Sequence, residues 1–412
     1  MAAEPISTPK DDSLWRNRTF LTVWLSHGIS VLGDGFHSVA VGLLLLQQTG
    51  SAAAFSAVLA VRVAAMILLG PFAGTFADRV DRRRLMIVTD LLRAVLVLAL
   101  LLLLVLPAGA SLPLVPVVIG LTLLIHAAGT FFGPAFGASL VQMVTPGTLG
   151  KANSLLQLTE TVAGVAGPAL GGMAVGLIGS AGALSVDAGS FLLSGLAILL
   201  VRFPSPRRTG ESRFLADMAE GLAFLRGQPV ILGVMLLGPL FSLFGAAHGL
   251  LMPVIAIRIW GVTPFQFGLI ESAWPLGMGL AALLLTVAAS RIKQNGPLLV
   301  GAFAVAGLFE VASALVPRAT PALVLLVGSA FATGLGLVIM RLLLRSLVPP
   351  EMQGRAFGLY GSAANAAYPL GALMAGLLGD WLSPVAVAAA CGVGFFLTAV
   401  VGWANPSLRR FG

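Results

Sequence analysis

GTFADRVDRRRL, residues 74–85, places six charges in the seven positions from Asp78 to Arg84. Apolar runs flank it, 52–76 before and 85–106 after. At 1.5 Å rise per residue, each is long enough to cross a ~30 Å hydrocarbon core as a helix. A charged turn between two such runs reads as the loop of a transmembrane helical hairpin. Working outward, the same unit recurs along the chain. Its 412 residues are 58% hydrophobic and 10% charged, with a mean hydropathy of +0.99. A soluble domain carries about 25% charged residues, so composition excludes one. The apolar runs do not alternate as barrel strands do. Fifty glycines suit membrane helices whose backbones approach closely.

Twelve spans are expected: 19–46, 52–76, 85–106, 112–144, 152–178, 181–202, 229–257, 264–289, 296–317, 321–347, 354–379 and 384–404. They divide into a tail (1–18), a six-helix bundle (19–202), a connection (203–228), a second six-helix bundle (229–404) and a tail (405–412). Within the connection, Phe214, Met218, Leu222 and Leu225 recur at helical spacing, which predicts a short helix lying along the membrane surface. Two six-span halves around a polar connection is the plan of many secondary transporters. With both termini cytoplasmic, 19 of the 24 Lys and Arg residues fall on the cytoplasmic side. The formal charge of +8 therefore tracks topology, and a nucleic-acid partner is not expected. The tail before the first span lacks the basic-then-apolar plan of a cleaved signal peptide.

Chemistry of other kinds is not encoded. The single Cys391 permits no disulfide or thiolate metal site, and no phosphate-binding loop is present. Neither an enzyme, a metal nor a cofactor is expected.

Ionisable groups at membrane depth are costly and mark function or a buried pair. Asp34 sits beyond the middle of span 1 in LGDGFHS, and Arg62 lies at comparable depth in the hairpin-neighbouring span 2. Two readings stay open for Asp34: a protonatable group in a central cavity, or an ion pair with Arg62 that fixes helix packing. His37, one turn on, is placed to share its proton. Glu160 (span 5) and Glu271 (span 8) are further cavity candidates, against helix-end or interhelical hydrogen bonds. Asp187 and Glu310 read as structural. Phe36, Phe132, Phe136, Phe241, Phe244, Trp274 and Tyr368 are candidates to line an apolar cavity. In span 5, AGVAGPALGG puts Gly164, Gly167, Gly171 and Gly172 on one smooth face, with Pro168 permitting a bend. Such a helix suits either a rocking interface between the halves or ordinary small-residue packing.

On these residues the chain resembles the major facilitator superfamily over nearly its full length. GTFADRVDRRR matches the superfamily's loop 2–3 motif at Gly74, Asp78, Arg79, Arg82 and Arg83. GVAGPALGG is similar to the span 5 antiporter motif. RNRTFLTVWLSHGISVLGDGF and LVPPEMQGRAFGL further resemble the third drug:proton antiporter group, which includes macrolide-efflux and enterobactin-export proteins. The resemblance implies an all-α, twelve-helix transporter of the bacterial inner membrane, working as a monomer in the lipid bilayer. It implies export of amphipathic small molecules in exchange for protons. It also implies a cytoplasmic latch in which Asp78 faces the start of span 11 around Gly354 and Arg355, with Arg79, Arg82, Arg83, Asp90 and Arg93 in the network. The chain departs from several drug-exporter groups in having no Arg in span 4, where His126 is the only titratable group. A dedicated metabolite exporter, of a siderophore or lipid-like molecule, is the alternative, and a non-transporting receptor or scaffold the third reading.

Overall fold

The computed structural model describes residues 13–49, 52–105, 114–203, 223, 228–288 and 296–404. The surface helix expected within 203–228, the basic pair of loop 8–9 and most of both tails lie outside the described residues. Among those described, every long element is an α-helix and none is a strand. After a short 3-10 turn, Leu14–Arg16, come α1 (Arg18–Thr49), α2 (Ala52–Arg79), α3 (Arg82–Val105) and α4 (Leu114–Met143). Pro146–Leu200 is one continuous path parted at Gly179 into two arms, α5 before it and α6 after it. The second half follows as α7 (Pro229–Arg258), α8 (Pro264–Ala288), α9 (Gly296–Leu315), α10 (Ala319–Leu347), α11 (Pro350–Trp381) and α12 (Pro384–Ala404). Nine of the described stretches are long and apolar enough to cross a membrane, Pro146–Leu200 counting once. The fold is the twelve-helix, two-half arrangement expected.

Local chemistry sets the helix starts. Asn17 precedes α1, and its Oδ1 accepts the Phe20 N–H at 3.0 Å, filling one of the orphan donors of the first turn. Pro146, Pro229, Pro264, Pro350 and Pro384 each open a helix, where a missing N–H costs nothing. At Gly179 the backbone takes φ 73°, ψ 172°, in a region only glycine occupies without strain. Gly179→Ala is accordingly expected to lose about 1–3 kcal/mol, measurable as earlier thermal unfolding in detergent.

The chain forms two compact units: residues 1–40 with 65–210, and 41–64 with 211–412. In the first, one core gathers Phe20, Met86, Phe132, Phe136, Leu140 and Ile198. In the second, Phe241 stacks on Phe303 at 3.6 Å and tilts against Phe395 at 4.7 Å. Phe241, a candidate for a cavity wall, is thus core: its ring is held between α9 and α12.

The glycine face of α5 also has a defined neighbour. A Cβ on Gly167 would stand 2.9 Å from Leu32 O, and one on Gly171 2.8 Å from Phe36 Cα. Gly164 is half-buried on this arm, and Gly172 and Pro168 are buried. The smooth face therefore packs α5 onto α1 of its own unit, at the turn that carries Asp34. Close helix approach explains it, as small residues permit.

Candidate functional site

Three helices of the first unit converge on one guanidinium. Arg93 lies three turns inside α3, and its Nη2 donates to Asp34 Oδ1 on α1. Its Nη1 stands 3.9 Å from Asp90 Oδ1, one turn earlier on α3. Its Cζ sits 3.7 Å above the Phe191 ring of α6, a cation–π contact. On the α4 side Gly129 leaves the room: a Cβ there would come within 3.3 Å of the guanidinium. Asp90 in turn accepts a hydrogen bond from Ser194 Oγ of α6.

A second pair adjoins the first. His37 Nδ1 and Asp187 Oδ2 lie 2.9 Å apart, joining α1 to α6. The His126 ring of α4 meets the His37 ring edge-on at 6.0 Å. Gly33, one residue before Asp34, lets α6 approach at Asp187 and Ser190. Asp90 and Asp187 are fully buried, whereas the Asp34 side chain keeps 34% of its surface. Asp34 is therefore the acid of this cluster most open to a ligand. Asp90 Oδ1 and Asp187 Oδ1 are buried with no hydrogen-bond partner among the described residues.

Two carboxyls, Asp34 and Asp90, thus face one guanidinium, and a third, Asp187, pairs with His37 beside them. Ions taken out of water are costly unless paired, so this arrangement is suited to holding and releasing protons as its surroundings change.

Further along α1, two turns from Asp34, His27 lies between the rings of Phe132, at 5.6 Å, and Phe136, at 4.8 Å. Its Nε2 is 3.8 Å from Glu160 Oε1 on α5, whose side chain is 53% exposed. Trp24 Nε1 donates to Thr159 Oγ1 at 2.9 Å beside it. His27, Asp34 and His37 recur at i, i+7 and i+10, on one side of α1.

Several sequence expectations move. The sequence offers Asp34 its hairpin neighbour Arg62 as a partner; the structure gives it Arg93, which the resemblance places in the cytoplasmic network. Arg93 is eleven residues, about 16 Å of helix, beyond the start of α3, too deep for a loop contact. The Arg62 side chain lies outside the described ones. His37, a candidate to share the Asp34 proton, is instead hydrogen-bonded to Asp187, which reads from the sequence as structural. Phe36 is buried against α5, Phe132 and Phe136 flank His27, and Phe244 packs at the edge of the second core. Glu271 is half-buried on α8; Trp274 and Tyr368 are exposed. His27, Phe191, Ser190 and Ser194 were missed. The i, i+7 spacing of His27 and Asp34 was the available signal; the α6 residues had none.

The charged loop binds its own bundle. Arg82 is buried, donating to Asp78 Oδ1 at 2.9 Å and to Ala138 O of α4 at 3.3 Å. Arg83 donates to Val201 O and Leu199 O at 2.7 and 2.8 Å, capping the end of α6 where carbonyls lack partners. Arg84 pairs with Asp81. Gly74 is on α2 with open space around it, and Arg355, half-buried on α11, has the Met352 sulfur at 3.6 Å.

Comparison with known proteins agrees with this architecture. Residues 13–410 match the family described as transmembrane secretion effector, of the major facilitator type. Macrolide efflux protein A of Streptococcus pyogenes is 25% identical over 88% of this chain and 89% of its own. Enterobactin exporter EntS of Salmonella choleraesuis (strain SC-B67) is 28% identical over 95% and 93%. Among solved structures, a bacterial homologue of the iron transporter ferroportin superposes with a TM-score of 0.70 at 18% identity, covering 95% of this chain and all of that one. The last shows the fold alone. The chain belongs to the transmembrane secretion effector family of the major facilitator superfamily and is a multi-pass membrane transporter, not an enzyme.

Proposed function

We propose that the chain exports amphipathic small molecules in exchange for protons, working as a monomer in a bacterial inner membrane with both termini cytoplasmic. The observation that carries the reading is the Asp34–Arg93 pair with Asp90 and Asp187 around it: three acids and one fixed cation inside membrane-spanning helices. Asp34 is the half-exposed member, so a substrate cation or a proton reaches it first. A proton on Asp34 weakens its bond to Arg93, and a substrate that draws on the same carboxylate competes with that proton. Such competition is what couples two fluxes, since each ligand shifts the transporter only by its differential affinity for the two states. Glu160 with His27, toward the arginine-bearing end of the unit, supplies a second proton acceptor on the same side of α1. Relatives that carry macrolide-efflux and multidrug-efflux names support the substrate class.

The similarity to an enterobactin exporter favours a second reading, a dedicated exporter of one metabolite. Purified protein in proteoliposomes with an imposed pH gradient tests both. A macrolide added to the substrate side should collapse the gradient under the first reading; a catecholate siderophore alone should do so under the second. A gradient that neither compound disturbs refutes proton-coupled export of these classes.

A further inference from the structure

The first unit carries an open apolar groove that the charge cluster does not use. It lies between α2, α3 and α4, at the end of the bundle holding the charged loop, and encloses about 600 Å³. Leu85, Thr89, Leu92 and Leu96 form its floor, eleven helical steps along α3 from first to last. That makes a trough about 16 Å long, half of the ~30 Å hydrocarbon core and so the depth of one leaflet. Phe72 and Phe76 of α2 form one wall, and α4 forms the other through Phe131. The hydroxyl on the floor, Thr89 Oγ1, donates back to Met86 O at 2.9 Å. Apart from Arg79 at the mouth, no polar lining group among the described residues is left to bind a water-soluble ligand, and Phe72, Phe76 and Leu92 are exposed hydrocarbon.

At the mouth stands Arg79, the last residue of α2. The arginines after it are engaged: Arg82 with Asp78, Arg83 with the end of α6, Arg84 with Asp81. The Arg79 side chain is exposed, and among the described residues it makes no hydrogen bond or ion pair. Asp78, the nearest carboxylate in sequence, is held by Arg82 and does not occupy it. A free guanidinium offers a planar fork of donors that matches a phosphate bidentately.

We propose that this groove binds one anionic phospholipid, such as phosphatidylglycerol, with its phosphate on Arg79 and an acyl chain along Leu85 to Leu96. The trough's length selects a single leaflet's chain, its apolar walls select hydrocarbon, and the lone cation at the mouth selects a negative headgroup. Anionic lipids are drawn to basic residues at the membrane surface, each contributing about 1 kcal/mol.

Native mass spectrometry tests this on the purified transporter, exchanged in mild detergent against equimolar phosphatidylglycerol and phosphatidylcholine of identical chains. Wild type should retain phosphatidylglycerol about fivefold over phosphatidylcholine, the factor that one such basic residue supplies. Arg79→Gln should bring the ratio to about one. Leu92→Asn, a polar change at an exposed floor position, should lower retention of both lipids. Arg84→Gln removes a charge from the same end but outside the groove and should keep the preference. The proposal is overturned if wild type shows no preference or if Arg79→Gln keeps it. Equal loss in Arg84→Gln also overturns it, since the attraction is then surface charge in general. Retention of a free long-chain carboxylate in place of the phospholipid overturns it as well.

Discussion

Asp34→Asn is expected to keep the fold and abolish the coupling. The amide has nearly the shape of the carboxyl, and Arg93 still has Asp90 at 3.9 Å and the Phe191 ring at 3.7 Å. No cation is stranded, so thermal unfolding in detergent should move by no more than a surface change would. What is lost is the exposed acid of the Arg93 cluster, the group that the proposed exchange places between proton and substrate. A single exchanged proton supports about tenfold substrate accumulation for each unit of pH gradient, because 1.4 kcal/mol is a factor of ten. In proteoliposomes at a gradient of one unit, wild type should therefore concentrate substrate about tenfold and Asp34→Asn not at all. Residual accumulation equal to wild type would place the coupling group elsewhere, with the Glu160 and His27 pair next to be tested.

The second large effect concerns stability. Arg93→Met keeps the length and volume of the stem but removes the charge from a site with Asp34, Asp90 and Asp187 around it. Removing one partner of a buried ion pair costs about 3–5 kcal/mol, because the other charge is left uncompensated. Loss of the contact with Phe191 adds to this. Unfolding of Arg93→Met should therefore begin well below the wild-type temperature, and expression should fall. The double variant Asp34→Asn with Arg93→Met removes one of the stranded acids and should recover part of the loss. A recovery of about 0.5–3 kcal/mol is the range for residues in direct contact. A single-variant cost below about 1 kcal/mol would show that the acids need no cation, and the site as described would be wrong.

Much of this was legible in the chain because the bilayer imposes it. Backbone groups in hydrocarbon must pair within their own segment, so long apolar runs can only be helices, and their number and spacing follow from length. The loop at 74–85 marks a hairpin for the same reason, since six charges cannot sit in lipid. The break at Gly179 falls between the expected spans 5 and 6, but spans 5 and 11 are expected to begin at 152 and 354, several residues after the observed starts at Pro146 and Pro350. The partner of Asp34 is a different kind of fact. Adjacency along the chain pointed to Arg62, on the next helix. The contact made is between α1 and α3, and no period or motif in either helix states which face meets which. The same holds for Asp187 and Ser194, brought to the site by α6, and for the glycine face of α5, whose neighbour is α1. It holds for Phe241, whose aromatic character suited a cavity wall as well as a core until Phe303 and Phe395 were placed around it. The sequence alone determined a twelve-helix membrane transporter, because solvent and lipid act on every residue independently. Which charges meet was decided only by tertiary packing, because a pair energy depends on distances between helices that composition does not contain.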